Sequence, residues 1–206
     1  MNKIDRRRVI LVTDGDPIAR VALQSVATRL GLRLISKSGG NPTPITGSQI
    51  VELTLAAAHD PVIVMLDDNG TWGQGSGEQA LKQIVLDKRV RVIGVLAVAS
   101  HTRFVRGVKV DFSIDFRGKI IDAAVNKDGM RLASKKKLIY GDTVDILRRL
   151  NVPVVMGIGD IGKMKGWDAL DRKCPVTTAA IEWMIHLDGR RLDRSSEACY
   201  HPMKIR

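Results

Sequence analysis

Unbroken apolar runs along the chain alternate with segments whose apolar residues recur every three or four positions. The first run, Val9-Ile10-Leu11-Val12, has no polar alternation, as in a strand buried on both faces. It leads into Thr13-Asp14-Gly15-Asp16-Pro17, two carboxylates around a glycine and a proline placed to open a helix. Ala19, Ala22, Leu23, Val26, Ala27 and Leu30 then fall at helical spacing, and Gly31 stands where helices commonly end. Residues 32–36 predict a short second strand, and the glycines and prolines of 37–44 predict a loop. Ser48 is expected to cap a second helix, with Glu52 near the reciprocal capping position, and that helix should end near Asp60-Pro61. Residues 62–66 predict a third strand ending in Asp67-Asp68-Asn69-Gly70. A loop with Gly73, Gly75 and Gly77 follows, then a helix over 78–86 and a fourth strand over 91–99 that ends in Ser100-His101.

After Ser100 the pattern changes. Val110, Phe112 and Ile114 alternate with polar residues, and Arg117-Gly118-Lys119 and Asn126-Lys127-Asp128-Gly129 carry turn chemistry. Gly141-Asp142 is expected to cap a helix containing Val144, Ile146, Leu147 and Leu150. Residues 152–158 predict the last core strand, ending in Gly159-Asp160-Ile161-Gly162-Lys163. A final helix follows Pro175, with Ala180, Ile181, Met184 and Leu187 on one face. The pattern describes an α/β protein: a three-layer, mostly parallel, Rossmann-like sheet flanked by helices, with a small antiparallel hairpin extension around 108–138. Residues 1–187 are expected to form one domain, and 188–206 a basic, loosely held tail.

Composition refines this picture. Hydrophobic residues make up 44% of the chain and aromatics only 4%, so the core is aliphatic, as suits helices packed on a parallel sheet. The 33 Lys and Arg against 22 Asp and Glu give a net charge of +11, which favours acidic partners without specifying one. Zinc-finger spacing and RNA-recognition signatures are both missing, and the cations are scattered apart from clusters such as Arg6-Arg7-Arg8. A solvated basic surface accounts for them equally well, and nucleic acid is not an expected partner. Cys174 and Cys199 form neither a disulfide framework nor a metal motif. No apolar run approaches the roughly 20 residues that span a bilayer, and the run after Arg8 is too short for a signal peptide. The expectation is a soluble protein whose membrane association, if any, is peripheral.

In open α/β sheets, ligands bind beyond the carboxyl ends of the strands. Asp14 and Asp16 leave the first predicted strand, Asp67, Asp68, Asn69 and Gly70 the third, Ser100 the fourth, and Gly159, Asp160 and Lys163 the last. These ten residues are the candidate ligand- or partner-binding set. Converging carboxylates suit a hard cation such as Mg²⁺ or a phosphoryl-transfer site with a carboxylate nucleophile. Helix capping, by Asp16, Asp142 and Asp14, and Asp-Asn-Gly turn chemistry at Asp68 to Gly70 are the structural accounts of these acidic residues, and the stronger ones. The amides of the loop from Gly70 to Gly77, and the helix start that follows it, are positioned to hold an anion, although a mobile surface loop is the better account. The alternate glycines of Gly157-Ile158-Gly159 imply close approach of a ligand or another strand. No histidine sits in a nucleophile–base motif, His101 being the one best placed. Cys174, before Pro175, is expected to be a buried, inert thiol rather than one activated by the helix start.

The segment Val9 to Asp16, the Ser38 to Thr43 loop, Leu66-Asp67-Asp68-Asn69-Gly70, and the stretch from Val154 to Met164 together resemble the soluble SpoVAEa family of stage V sporulation proteins AE from spore-forming Firmicutes. The resemblance extends from about Arg6 to about Leu187 and leaves the segment from Arg190 to Arg206 unmatched. It implies an accessory, non-enzymatic component of the SpoVA system for calcium-dipicolinic acid uptake in sporulation and release in germination. It also implies peripheral association with the spore inner membrane. Other SpoVA proteins and spore membrane germination proteins are the implied partners, calcium-dipicolinate a candidate ligand, and no cofactor is implied. An Mg²⁺-dependent phosphoryl-transfer or phospho-acceptor domain using Asp14, Asp16, Asp67 or Asp68 is the alternative expectation.

Overall fold

The computed structural model describes residues 6–70, 75–100, 106–134, 136–141 and 143–198, with side chains through residue 192. In chain order the strands and helices are β1 (Arg7–Val12), α1 (Pro17–Arg29), β2 (Arg33–Leu34), α2 (Gly47–Leu55), β3 (Val62–Met65), α3 (Ser76–Leu86), β4 (Val90–Val98), β5 (Val108–Lys109), β6 (Phe112–Ile114), β7 (Ile120–Ile121), β8 (Leu138–Ile139), β9 (Val155–Ile158) and α4 (Pro175–Ala198). Seven strands form one sheet in the order β2-β3-β1-β4-β9-β6-β7, and β5 pairs with β8 in a separate antiparallel ribbon. All neighbours in the large sheet run parallel except β6 and β7. The α/β architecture and mostly parallel sheet are those the apolar runs predict.

The even and odd residues of β1 face opposite cores. Val9 and Leu11 pack with Ile50 and Val51 of α2 and Leu81 and Ile84 of α3. Ile10 and Val12 pack with Ala22, Leu23 and Val26 of α1 and Ile181 and Met184 of α4. Every one of these side chains is essentially inaccessible to solvent, which is why the strand sequence shows no polar alternation.

Several local expectations are corrected. The cap of α2 is Thr46, not Ser48: its side chain accepts the Gln49 N–H while Gln49 Oε1 accepts the Thr46 N–H, the three-residue spacing a capping box requires. The helix expected after Gly141 is a 3₁₀ turn over Asp145–Arg149, and Asp142, its expected cap, lies outside the described residues. The hairpin expected at Asn126–Gly129 supports only an isolated bridge, Val125 to Arg131, while the hairpin of the large sheet closes at Asp115–Lys119. There the Asp115 carboxylate accepts the N–H groups of Arg117 and Lys119. That hairpin joins the main sheet, because β6 pairs in parallel with β9. A Cβ on Gly157 would lie 2.4 Å from Ser113 Oγ, so of the two reasons for this glycine, ligand or neighbouring strand, the strand applies.

Residue 188, where the tail was expected to start, falls inside α4. Asp188 is buried and takes a two-pronged ion pair from Arg91 at 2.6 and 2.9 Å, with Arg8 at 3.6 Å. This ties α4 to the starts of β1 and β4. Among the described residues, no helix is long and apolar enough to cross a membrane.

A candidate site at the carboxyl rim of the sheet

The crossovers reverse direction at β1: β3 lies on one side of it and β4 on the other. Such a switch point opens a crevice above the strand ends. Backbone bonds level those ends. Leu66 N–H donates to Val12 O at 2.9 Å, Thr13 N–H to Leu96 O at 3.0 Å, and Ala99 N–H to Ile158 O at 2.9 Å. The residues just beyond therefore share one rim. A cavity of about 230 Å³ opens there, lined by Asp14, Asp16, Asp67, Ser100, Asp160 and Lys163 from the predicted set.

Lys163 organises its charge. Its ammonium bonds to Asp16 Oδ2 and, at 2.9 Å, to Asp160 Oδ1. Burial alone would make Lys163 easier to deprotonate, but the two carboxylate bonds outweigh it and hold the ammonium firmly protonated. Asp14 sits deeper, 8% exposed, and its Oδ1 accepts the Asp16 N–H at 3.0 Å. Its pKa is pushed up to about 8, chiefly by burial and then by the neighbouring charge of Asp16, with a smaller push from Asp67, while the Asp16 N–H bond and Lys163 act the other way. At neutral pH, Asp14 is thus mostly a neutral carboxylic acid able to donate a hydrogen bond. Asp14, Asp16 and Asp160 each offer an oxygen within 4.8 Å of the others, and the Lys163 ammonium already bridges two of the three.

Asp67 lines the cavity and also serves as a brace. It accepts the Gly15 N–H at 3.0 Å and the Asn69 N–H at 2.7 Å. A Cβ on Gly15 would lie 2.1 Å from Gly40 O and 2.6 Å from Asp67 Cβ, so only glycine fits where the two acidic turns meet. Asp68 turns away from the cavity. Its carboxylate accepts the N–H groups of Gly77 at 2.7 Å and Glu78 at 3.1 Å, capping α3 from the end of β3. At this helix start the Gly77 and Glu78 amides thus hold the protein's own Asp68 carboxylate, and a Cβ on Gly75 would fall 2.1 Å from its Oδ1. Asn69 and Gly70 form an exposed turn with φ of +52° and +63° and do not line the cavity. Gly159 lies against the backbone of Lys127 and Gly129, which a Cβ would strike at 2.8 and 2.6 Å. Residues 71–74 and His101 lie outside the described residues.

Five lining residues lie outside the predicted set, the apolar Val98 and Ala99 at the end of β4 and the polar Thr13, Asn41 and Lys127. Thr13 Oγ1 accepts the Val98 N–H at 3.0 Å, a polar end to an apolar run that the pattern itself marks. Asn41 rides on a loop anchored over β3, where Ser38 Oγ accepts the Met65 N–H and Thr43 Oγ1 the Asp67 N–H. Lys127 arrives through the Asp160 N–H bond to its carbonyl, a long-range contact with no local signal. Below the rim, fully buried Asp168 accepts the N–H groups of Gly162, Val176 and Thr177, each at 2.9 Å, fastening the post-β9 loop to the start of α4. Beside it, burial first and the Asp168 charge second push the Cys174 thiol up to about 11, as befits an inert thiol.

A model of the family described as stage V sporulation protein AE1 matches residues 8–187, a span that contains every residue of the rim cavity. Comparison with curated proteins and with solved structures finds no match. The family match covers most of the chain, the sheet and the rim together, and on that ground the chain belongs to the SpoVAE family of stage V sporulation proteins.

Proposed function

We propose that this protein is a non-catalytic accessory subunit of the SpoVA system, acting in calcium-dipicolinic acid uptake during sporulation and release in germination. In this reading it associates peripherally with the spore inner membrane and uses the rim cavity to recognise a ligand or a SpoVA partner. Family membership over residues 8–187, which carries a SpoVA-related role in sporulation, is the observation that supports it most directly. The chemistry of the rim fits recognition better than attack. A nucleophilic carboxylate must be ionised, whereas Asp14 holds a proton at neutral pH. Asp67 and Asp68 spend their oxygens on backbone amides, and Lys163 already pairs with Asp16 and Asp160. These features weigh against the phosphoryl-transfer alternative.

The test is genetic and biochemical together. Spores lacking the gene are expected to accumulate or release dipicolinic acid abnormally, with wild type restoring the phenotype and Lys163→Met failing to. The wild-type protein should fractionate with inner membranes and leave them in high salt. Normal dipicolinate content and release in the deletion strain would overturn the reading. Acyl-phosphate formation that disappears in Asp14→Asn would install the alternative.

A further inference from the structure

At the opposite end of β9 lies a second cavity, of about 440 Å³. It is within the range of about 300–1,000 Å³ usual for small-molecule pockets, which the rim cavity is not. Its character is also different. Val108 of β5, Leu147 of the 3₁₀ turn and Val155 of β9 line it as buried apolar groups. Arg106, Lys109 and Arg148 line it too, with exposed side chains. Among the described residues, no acidic residue lines it. Among the described residues, none of these three cationic side chains has a hydrogen-bond or ion-pair partner, in contrast to Lys163 at the rim.

The local fold holds the cations there. Gly107 turns the chain from Arg106 into β5 at φ +72°, and a Cβ at this position would lie 2.7 Å from Ile139 O, so the close approach to β8 depends on glycine. The Asp145 carboxylate accepts the Arg106 N–H at 2.9 Å, pinning that residue to the 3₁₀ turn that also carries Leu147 and Arg148. An apolar recess gains free energy by removing a hydrophobic body from water. Three exposed cations beside it raise the local concentration of anions and select against neutral and positive ligands. A small molecule with an apolar body and an anionic group satisfies both demands.

We infer that this cavity is a binding site for a small organic carboxylate with an apolar body, the body against Val108, Leu147 and Val155 and the carboxylate met by Arg106, Lys109 and Arg148. The inference goes beyond the SpoVA reading and does not depend on the rim. It is tested by calorimetry on the full chain with dipicolinate, benzoate and octanoate, and with benzamide as the neutral counterpart of benzoate. At least one of the carboxylates is expected to bind with one-to-one stoichiometry, while benzamide gives no heat. The best-bound probe distinguishes flat aromatic dicarboxylate, flat aromatic monocarboxylate and acyl chain, and any of the three supports the site. The double variant Lys109→Glu/Arg148→Glu, at exposed positions, should weaken binding roughly tenfold or more. Val152→Trp, in the half-buried wall, should block it by volume, and Lys88→Glu, a charge reversal at an exposed position that lines neither cavity, should bind as wild type does. Circular dichroism shows that each variant is folded. The inference is overturned if no carboxylate binds, if the double variant binds as wild type does, or if Lys88→Glu weakens binding as much as the double variant does. Failure here leaves the SpoVA reading intact, since that is judged in spores.

Discussion

The two acidic turns at the rim, Asp14-Gly15-Asp16 after β1 and Asp67-Asp68-Asn69-Gly70 after β3, read almost alike, yet the fold uses them differently. The second turn is scaffolding: Asp68 caps α3, and Asp67 holds the backbone of both turns. The first turn supplies the polar surface. Asp14 accepts a single backbone N–H in a buried, protonated state, and Asp16, besides capping α1 through the Ala19 N–H, takes the Lys163 ammonium. What separates the turns is where their oxygens end: on backbone amides, or on side chains and the cavity. Adjacent strands and nearly equal composition do not determine that, and each turn has a helix start to cap; the Lys163 ammonium, which pairs with the first turn, makes the difference.

The contrast is broken most severely at Asp68. Asp68→Ala leaves the Gly77 and Glu78 N–H groups without their carboxylate and is expected to cost about 3 kcal/mol. In a domain of this size that lowers Tm by roughly 6–12 °C, read by thermal unfolding. A loss no larger than that of an exposed Asp→Ala change would mean that this turn is not scaffolding.

Asp14→Asn carries the opposite sign. The native pKa of about 8 stands above the ordinary value of 3.8, so between those values the folded state holds a proton that the unfolded state has released. Stability therefore falls as pH rises through that window and levels off above about 8, and the burden is absent below about pH 4. Asparagine accepts the same Asp16 N–H without a titration. The variant should be more stable than wild type by at least about 1 kcal/mol at pH 7, with the gain shrinking towards pH 4. Denaturant unfolding across that range measures it, and a gain independent of pH would remove the buried acid from the account.

Lys163→Met gives the smallest change. It leaves Asp16 and Asp160 facing each other without their shared cation, at positions about a quarter exposed. The expected loss is about 1 kcal/mol at pH 7 and low salt, and less in high salt, which screens the lost attraction. Salt-series unfolding of variant and wild type sharpens the comparison by showing how much of the first turn's order depends on charge.

The apolar runs and their polar ends made much of the rim legible, because a doubly buried parallel strand writes itself as a block and must exit into polar residues. Ser100, Asp160 and Lys163 followed from that rule alone. Lys127 was hidden because it depends on Gly159 meeting Gly129, a contact between segments 30 residues apart. Asp168 was hidden because it caps α4 from seven residues before Pro175, outside any local capping pattern. The register of α2 was legible after all, in the three-residue step from Thr46 to Gln49. The course of α4 beyond residue 187 was not, since Asp188 gains its place through Arg8 and Arg91, far away in sequence.

The Lys163 bridge makes the rim a place of exchange rather than of simple filling. A tethered ammonium competes with any incoming cation at the high effective concentration of an intramolecular group, so a lone monovalent ion gains little by displacing it. An incoming anion faces the mirror problem and must draw the lysine off its two carboxylates, leaving them exposed to each other. A guest that carries both signs of charge meets neither obstacle, because it can replace each half of the pair that it parts.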